Sequence, residues 1–193
     1  MKTVLNSVAA ALALSAACAH AGVILQDEIS ATWQVNYYES MGQSFRAEDA
    51  NVKFAFFYSR MNVAYPADTL RLRLVSGDGL DGEALADVEF AVPARFVGFH
   101  DVDLSAVSLT VGSMYTAVLS VPGTSPYWGA SFSANDNPYG SGHAYLSGER
   151  ADSDYDMTFR VTPAAPAPAQ VPEPGTIAIL AIGLGGLVTA RRK

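Results

Sequence analysis

The chain has 193 residues, room for one domain of ordinary size plus short terminal segments. Residues 22–162 hold 8 of the 12 basic and 18 of the 19 acidic residues, a net charge of −10, which argues against a nucleic-acid partner because phosphate binding needs a clustered basic face. The single cysteine, Cys18, precedes this stretch, so residues 22–162 cannot form a disulfide, a thiolate nucleophile or a cysteine metal site.

The first 21 residues have the pattern of a removable signal peptide. Lys2 supplies the positive charge, an apolar run follows, and Ala19 and Ala21 supply the small residues that signal peptidase reads before it cleaves. A lipoprotein box ending at Cys18 is the alternative, although the residue three before it is not the Leu, Val or Ile usual there.

Alternation of apolar and polar residues through the middle predicts β-strands. Leu70, Leu72 and Leu74 alternate with arginines, and a glycine-aspartate turn leads to a second alternating strand around Phe90. Phe57 lies opposite the apolar face of its own strand, which predicts a central strand covered on both sides. Further strands are predicted at residues 96–99, 107–110, 114–121, 128–133 and 156–161. The pattern predicts an all-β fold, an antiparallel β-sandwich or jelly roll, over residues 22–162.

The C-terminal part divides into a linker and a hydrophobic segment. Prolines in residues 163–170 favour an extended polyproline spacer. Residues 176–190 predict a single hydrophobic helix of about 22 Å, short against about 30 Å of bilayer hydrocarbon. The basic residues that end the chain should stay cytoplasmic and place everything upstream outside. An ordinary tail anchor is the alternative.

Residues 171–193 resemble the PEP-CTERM sorting signal of Gram-negative bacteria, in which a Pro-Glu-Pro motif, a short glycine-containing apolar helix and a basic cluster follow in order. The residues that carry this resemblance are Val171, Pro172, Glu173, Pro174, Arg191, Arg192 and Lys193. The resemblance implies transient membrane anchoring and recognition by an exosortase, a membrane protease-transpeptidase. It also implies delivery to the cell surface or extracellular matrix, where such substrates are typically linked to exopolysaccharide and biofilm.

A weaker resemblance covers about residues 40–161. Short motifs at residues 42–45, 70–72, 109–115, 137–145 and 157–160 follow in an order similar to jelly-roll modules of secreted bacterial proteins, as in galactose-binding-like domains. This resemblance implies a jelly roll and contact with carbohydrate, but a shared fold does not by itself fix function.

The sequence contains no motif typical of a hydrolase elbow, a zinc protease, a phosphate loop or a dinucleotide site. His100 and His143 are predicted as a surface residue and a loop residue. A glycosidase needs two carboxyl groups about 5–10 Å apart, and the spacing of the acids selects no pair. We therefore predict no catalytic residue, with a glycoside hydrolase as a remaining alternative.

No cofactor or metal ligand is assigned, but two kinds of ligand contact stay open. Calcium could bind acidic clusters at Asp78 with Asp81, residues 135–137 and residues 152–156, where turn formation is the alternative. Loop aromatics could stack on a sugar, with core packing as the alternative; these are Tyr127, Trp128 and Tyr139.

Together these features predict a noncatalytic surface or matrix protein, exported across the inner membrane with signal peptidase and exosortase as its processing enzymes. The alternative is a module at the same location that binds carbohydrate or exopolysaccharide, with or without calcium.

Overall fold

The computed structural model describes residues 22–59, 67–123, 128–135, 137–152 and 154–165. These residues form strands and no helix, arranged as two antiparallel sheets, which confirms the all-β prediction. The predicted signal peptide and C-terminal helix lie outside the described residues.

The described part of the chain contains thirteen strands, several of which have only two to four residues. In chain order they are β1 (Ile24–Gln26), β2 (Ala31–Gln34), β3 (Met41–Arg46), β4 (Val52–Ser59), β5 (Asp68–Ser76), β6 (Ala84–Val92), β7 (Gly98–Asp103), β8 (Met114–Ser120), β9 (Gly129–Ser133), β10 (Ala144–Leu146), β11 (Glu149–Arg150), β12 (Asp156–Met157) and β13 (Phe159–Pro163).

The seven-stranded sheet is built around β4, which pairs with β13, β7 and β9. β1 pairs with β13, and both β2 and β12 pair with β9. On the outer face of β4, Phe57 is half-buried and packs edge-on against Phe99 at 5.1 Å between ring centroids. The prediction that this strand is central is therefore confirmed.

The six-stranded sheet has the order β11-β10-β3-β8-β5-β6. Its inner face contributes Phe45 and the three alternating leucines of β5 to a core shared with Phe54, Phe56 and Phe159 of the other sheet. Burial of this apolar surface between the sheets is the main force holding the sandwich together. The arginines of β5 consequently point to the outer face.

Three of the predicted strands differ from the strands in the structure. Residues 107–110 form no strand; they are a loop held by the Leu109 N–H donating to Ala50 O at 2.7 Å, and burial of Leu109 explains the apolar pattern. The strand predicted at 96–99 is instead β7, because residues 93–97 turn the chain first. The strand predicted at 156–161 is interrupted at Thr158, whose N–H donates to Ser131 O at 2.8 Å, and it continues to Pro163, one residue into the predicted linker.

Candidate functional site

The loop between β5 and β6, residues 77–83, folds back over the outer face of the six-stranded sheet. The Gly79 N–H donates to Thr116 Oγ1 at 3.1 Å, and that hydroxyl donates to Gly77 O at 2.9 Å. Leu80 packs over Gly42, where an added Cβ would lie 2.9 Å from Leu80 Cδ2. The glycine on β3 therefore makes room for the loop to lie flat on the sheet.

Asp78 in this loop is the acceptor at the centre of a polar cluster. Ser44 Oγ and Tyr145 OH donate to its Oδ1 at 2.5 and 2.7 Å, and His143 Nδ1 lies 2.9 Å from its Oδ2. The His143 backbone N–H donates to Ser44 Oγ at 2.8 Å. We call Ser44, Asp78, His143 and Tyr145 the Asp78 cluster; it ties the β5–β6 loop to β3, β10 and the loop before β10.

The electrostatics of the Asp78 cluster favour an ionised carboxylate beside a neutral phenol. Burial of Asp78 raises its pKa, but hydrogen bonds from Ser44 and Tyr145 and the nearby His143 outweigh burial and leave the pKa below its ordinary value. Burial and the Asp78 charge raise the pKa of Tyr145 to about 12. At neutral pH Asp78 is thus an acceptor for all three side chains.

The Asp78 cluster contains Ser, His and Asp but not the connectivity of a catalytic triad. In a triad the serine proton passes to the histidine ring, and the aspartate holds the other side of that ring. Here Ser44 Oγ donates directly to Asp78 and accepts from the His143 backbone. The hydroxyl is committed to structural hydrogen bonds, so this arrangement does not activate it as a nucleophile.

A second polar cluster lies inside the sandwich and joins the two sheets. Gln43 Nε2 donates to Asp156 Oδ1 at 2.8 Å, the Tyr139 backbone N–H donates to Asp156 Oδ2 at 3.0 Å, and Gln43 Oε1 accepts from the Met157 N–H at 2.8 Å. Burial raises the pKa of Asp156. Because neighbours on a strand point to opposite faces, Gln43 and Ser44 direct Asp156 and Asp78 to opposite sides of the sheet. These two carboxyls therefore do not share a cleft of the kind a glycosidase needs.

The acidic groups considered for calcium are dispersed in the described residues. Asp78 is held by the Asp78 cluster, Asp81 is exposed in the loop, and Asp156 is buried. Asp136 and Ser153, from the other two segments, lie outside the described residues. Within the described residues no three His, Cys, Asp or Glu side chains are grouped to hold a metal ion. Calcium binding stays a prediction.

The aromatic residues considered for sugar stacking have different surroundings. Trp128 is 1% exposed, with Tyr58 edge-on to it at 6.1 Å between ring centroids. Tyr139 is half-buried against Phe159 at 5.0 Å, and its hydroxyl accepts from the Arg46 N–H at 3.2 Å. Tyr127 lies outside the described residues. These surroundings favour core packing for Trp128 and Tyr139, and a ligand role for the three stays a prediction.

In the sequence, Asp78 and His143 stand out as separate candidates, and no pattern links them to Ser44 or Tyr145. The four residues come from three separate parts of the chain, and the partners of Asp78 lie 34 to 67 positions away from it in the sequence. His100, predicted as a surface residue, is half-buried and stacks on Phe90 with ring centroids 5.2 Å apart.

The sorting segment lies outside the described residues, as do the cleavage residues Ala19 and Ala21. Within the described ranges no helix is long and apolar enough to cross a membrane. Residues 170–193 match the family of the PEP-CTERM protein-sorting motif. No curated protein and no solved structure matches the chain. The motif match supports the prediction of an exosortase substrate and implies export with membrane-associated sorting to the cell surface, whereas the galactose-binding-like resemblance stays a prediction.

Proposed function

We propose that this chain is a noncatalytic surface or matrix protein of a Gram-negative bacterium, displayed by exosortase sorting. The observation that carries the proposal is the match of residues 170–193 to the PEP-CTERM protein-sorting motif. In this proposal signal peptidase removes residues 1–21, the C-terminal helix holds the protein transiently in the inner membrane, and the exosortase releases the domain by cleaving near Glu173.

The end of the folded domain suits this processing. The last strand, β13, ends at Pro163, and the Ala164 N–H donates to Asn51 O at 2.8 Å. The Pro/Ala linker follows directly, and a polyproline segment extends about 3.1 Å per residue. The linker would hold the sandwich away from the membrane, where the exosortase must reach the motif.

A noncatalytic role is supported by the polar clusters of the described residues. Asp78 accepts hydrogen bonds from three side chains and Asp156 from two groups, all of them neutral or histidine donors within the protein. Polar groups that satisfy one another in this way stabilise the fold and leave little acceptor capacity for a reacting group.

The test is the intact mass of the protein recovered from the outer surface of its native host. We expect loss of residues 1–21 and of everything beyond about Pro174. Glu173→Ala should leave the C-terminal segment in place and the protein in the membrane fraction, whereas Glu149→Ala, an exposed glutamate on β11, should be processed normally. A full-length C-terminus in the wild-type protein would refute sorting and leave a tail-anchored sandwich.

A second candidate role, also at the cell surface, is binding of exopolysaccharide. The observation that favours it is a depression on the outer face of the six-stranded sheet, beside the β5–β6 loop, with two arginines in its wall. Binding of purified host polysaccharide by the full chain in detergent would test this role, and it would fail if no polymer bound.

A further inference from the structure

The depression lies on the outer face of the six-stranded sheet and has a volume of about 210 Å³. It is lined by Ser40, Arg71, Arg73, Val118 and Ser120. The pairing of β5 with β8 sets Arg71 beside Ser120 and Arg73 beside Val118. Four of the five lining residues carry hydrogen-bond donors in their side chains, and the fifth, Val118, is apolar.

The two arginines differ in how far their charge is already used. Arg71 forms an ion pair with Asp87 on β6, with its Nε donating to Asp87 Oδ1 at 2.6 Å. Arg73 forms no ion pair with any described residue, and its Nη2 donates to Leu80 O at 3.4 Å. Asp87 faces Arg73 across the β5–β6 pairing, but its ion pair is with Arg71. Because a guanidinium carries five N–H donors, Arg73 keeps most of its donors for a ligand, while its charge also acts on Asp87.

Guanidinium groups bind carboxylates through two parallel hydrogen bonds, and serine hydroxyls suit sugar hydroxyls. The depression is smaller than the roughly 300–1,000 Å³ of pockets for drug-sized ligands, so it suits one unit of a chain. We propose that this depression binds a carboxylate-bearing sugar unit of an acidic polysaccharide, with Arg73 as the main carboxylate contact and Ser40 and Ser120 beside it. The inference rests on the proposed polysaccharide-binding role.

The negative charge of the domain allows a local binding site to be distinguished from general electrostatic attraction. Residues 22–162 carry a net charge of −10, so a polyanion gains no general attraction from the domain. Binding of an acidic polymer must therefore come from a local arrangement of donors. Removing one positive charge elsewhere should have little effect, and removing Arg73 should have a large one.

The experiment titrates the full chain in detergent with oligogalacturonate and with its fully methyl-esterified form, which keeps the sugar but removes the charge. We expect the acid form to bind at least about tenfold more tightly, since one hydrogen bond between charged groups changes an affinity by about tenfold or more. Arg73→Gln should weaken binding of the acid form about tenfold. Lys53→Gln, an exposed residue on the other sheet with the same change in charge, should change it less than about twofold. Ser120→Ala, which removes a lining hydroxyl without touching the β5–β6 loop, should weaken binding about threefold.

Equal binding of the acid and ester forms would overturn the carboxylate assignment and leave polysaccharide binding standing. Equal losses in Arg73→Gln and Lys53→Gln would overturn the location. Failure of the wild-type chain to bind either oligomer, while binding host polysaccharide, would also refute the proposed ligand. If host polysaccharide failed to bind as well, the binding role itself would be wrong.

Discussion

Replacing Asp78 with alanine tests whether the Asp78 cluster fastens the β5–β6 loop to the sheet. The substitution removes the shared acceptor of Ser44, Tyr145 and His143, which lie at 2.5, 2.7 and 2.9 Å. Ser44 and Tyr145 are buried residues, so their hydroxyls lose a partner that water replaces only in part.

The expected cost follows from these contacts. A hydrogen bond to a charged group contributes about 1.5–3 kcal/mol. The side chains of Asp78 and His143 are 33% and 27% exposed, so solvent screens their pair and the three bonds do not add fully. We expect Asp78→Ala to lower the free energy of unfolding by about 3 kcal/mol.

The assay is denaturant unfolding of the full chain in detergent, followed by the fluorescence of Trp33 and Trp128. Asp81→Ala is the matched control, since Asp81 is exposed in the same loop and should change stability by less than about 0.5 kcal/mol. A loss no larger in Asp78→Ala than in Asp81→Ala would refute the reasoning.

The difference in stability between wild type and Asp78→Ala should also depend on pH, with a sign that follows from the pKa of Asp78. The pKa of Asp78 is lowered in the folded protein, so its contribution is complete above the ordinary value of 3.8 and is lost as the pH falls through the folded value. The difference in stability between wild type and Asp78→Ala should therefore be constant near neutral pH and narrow below about pH 4. A difference that widened on acidification would contradict the assigned direction.

Two further substitutions test the packing. Tyr58→Phe should raise the free energy of unfolding by about 1 kcal/mol, because the buried Tyr58 hydroxyl has no partner among the described residues. Tyr115→Phe should lower the free energy of unfolding, because the Tyr115 hydroxyl accepts from the Thr110 backbone N–H at 2.8 Å. Destabilisation by Tyr58→Phe would mean that the Tyr58 hydroxyl is hydrogen-bonded. Gly142→Ala should cost about 2–4 kcal/mol of stability, because the added Cβ would overlap the backbone oxygen of Ser44. Gly140→Ala, with open space around its Cβ, should be nearly neutral by thermal melting, and equal effects of the two substitutions would contradict the close approach.

The sequence predicted the long strands because their side chains obey a simple alternation. The leucines of β5 and the aromatic face of β4 are each buried on one side, so period-2 patterning reports their faces directly. β10, β11 and β12 have two or three residues each, too few for a period to appear. Residues 107–110 show the reverse error, because Leu109 is buried from a loop and looks like a strand residue in the sequence.

The Asp78 cluster and the depression could not be predicted from the sequence, for a different reason. Ser44 and Asp78 meet only because β3 lies two strands away from β5 and the β5–β6 loop bends back across β8. Such contacts depend on strand order, which alternation does not reveal. The sorting segment is the opposite case, because a linear motif can be read without knowing the fold; residues 170–193 match it on sequence alone.

The position of β13 has a mechanical consequence for a protein held by its C-terminus. β13 pairs with β1 through three residues and with β4 through five, so hydrogen bonds flank it on both edges. A pull on the C-terminal end of β13 along the strand axis would load the flanking hydrogen bonds together in shear instead of opening them one after another. The face proposed to hold polysaccharide belongs to the other sheet, so while the C-terminal segment holds the protein, tension from a bound polymer would be transmitted through the apolar core to β13.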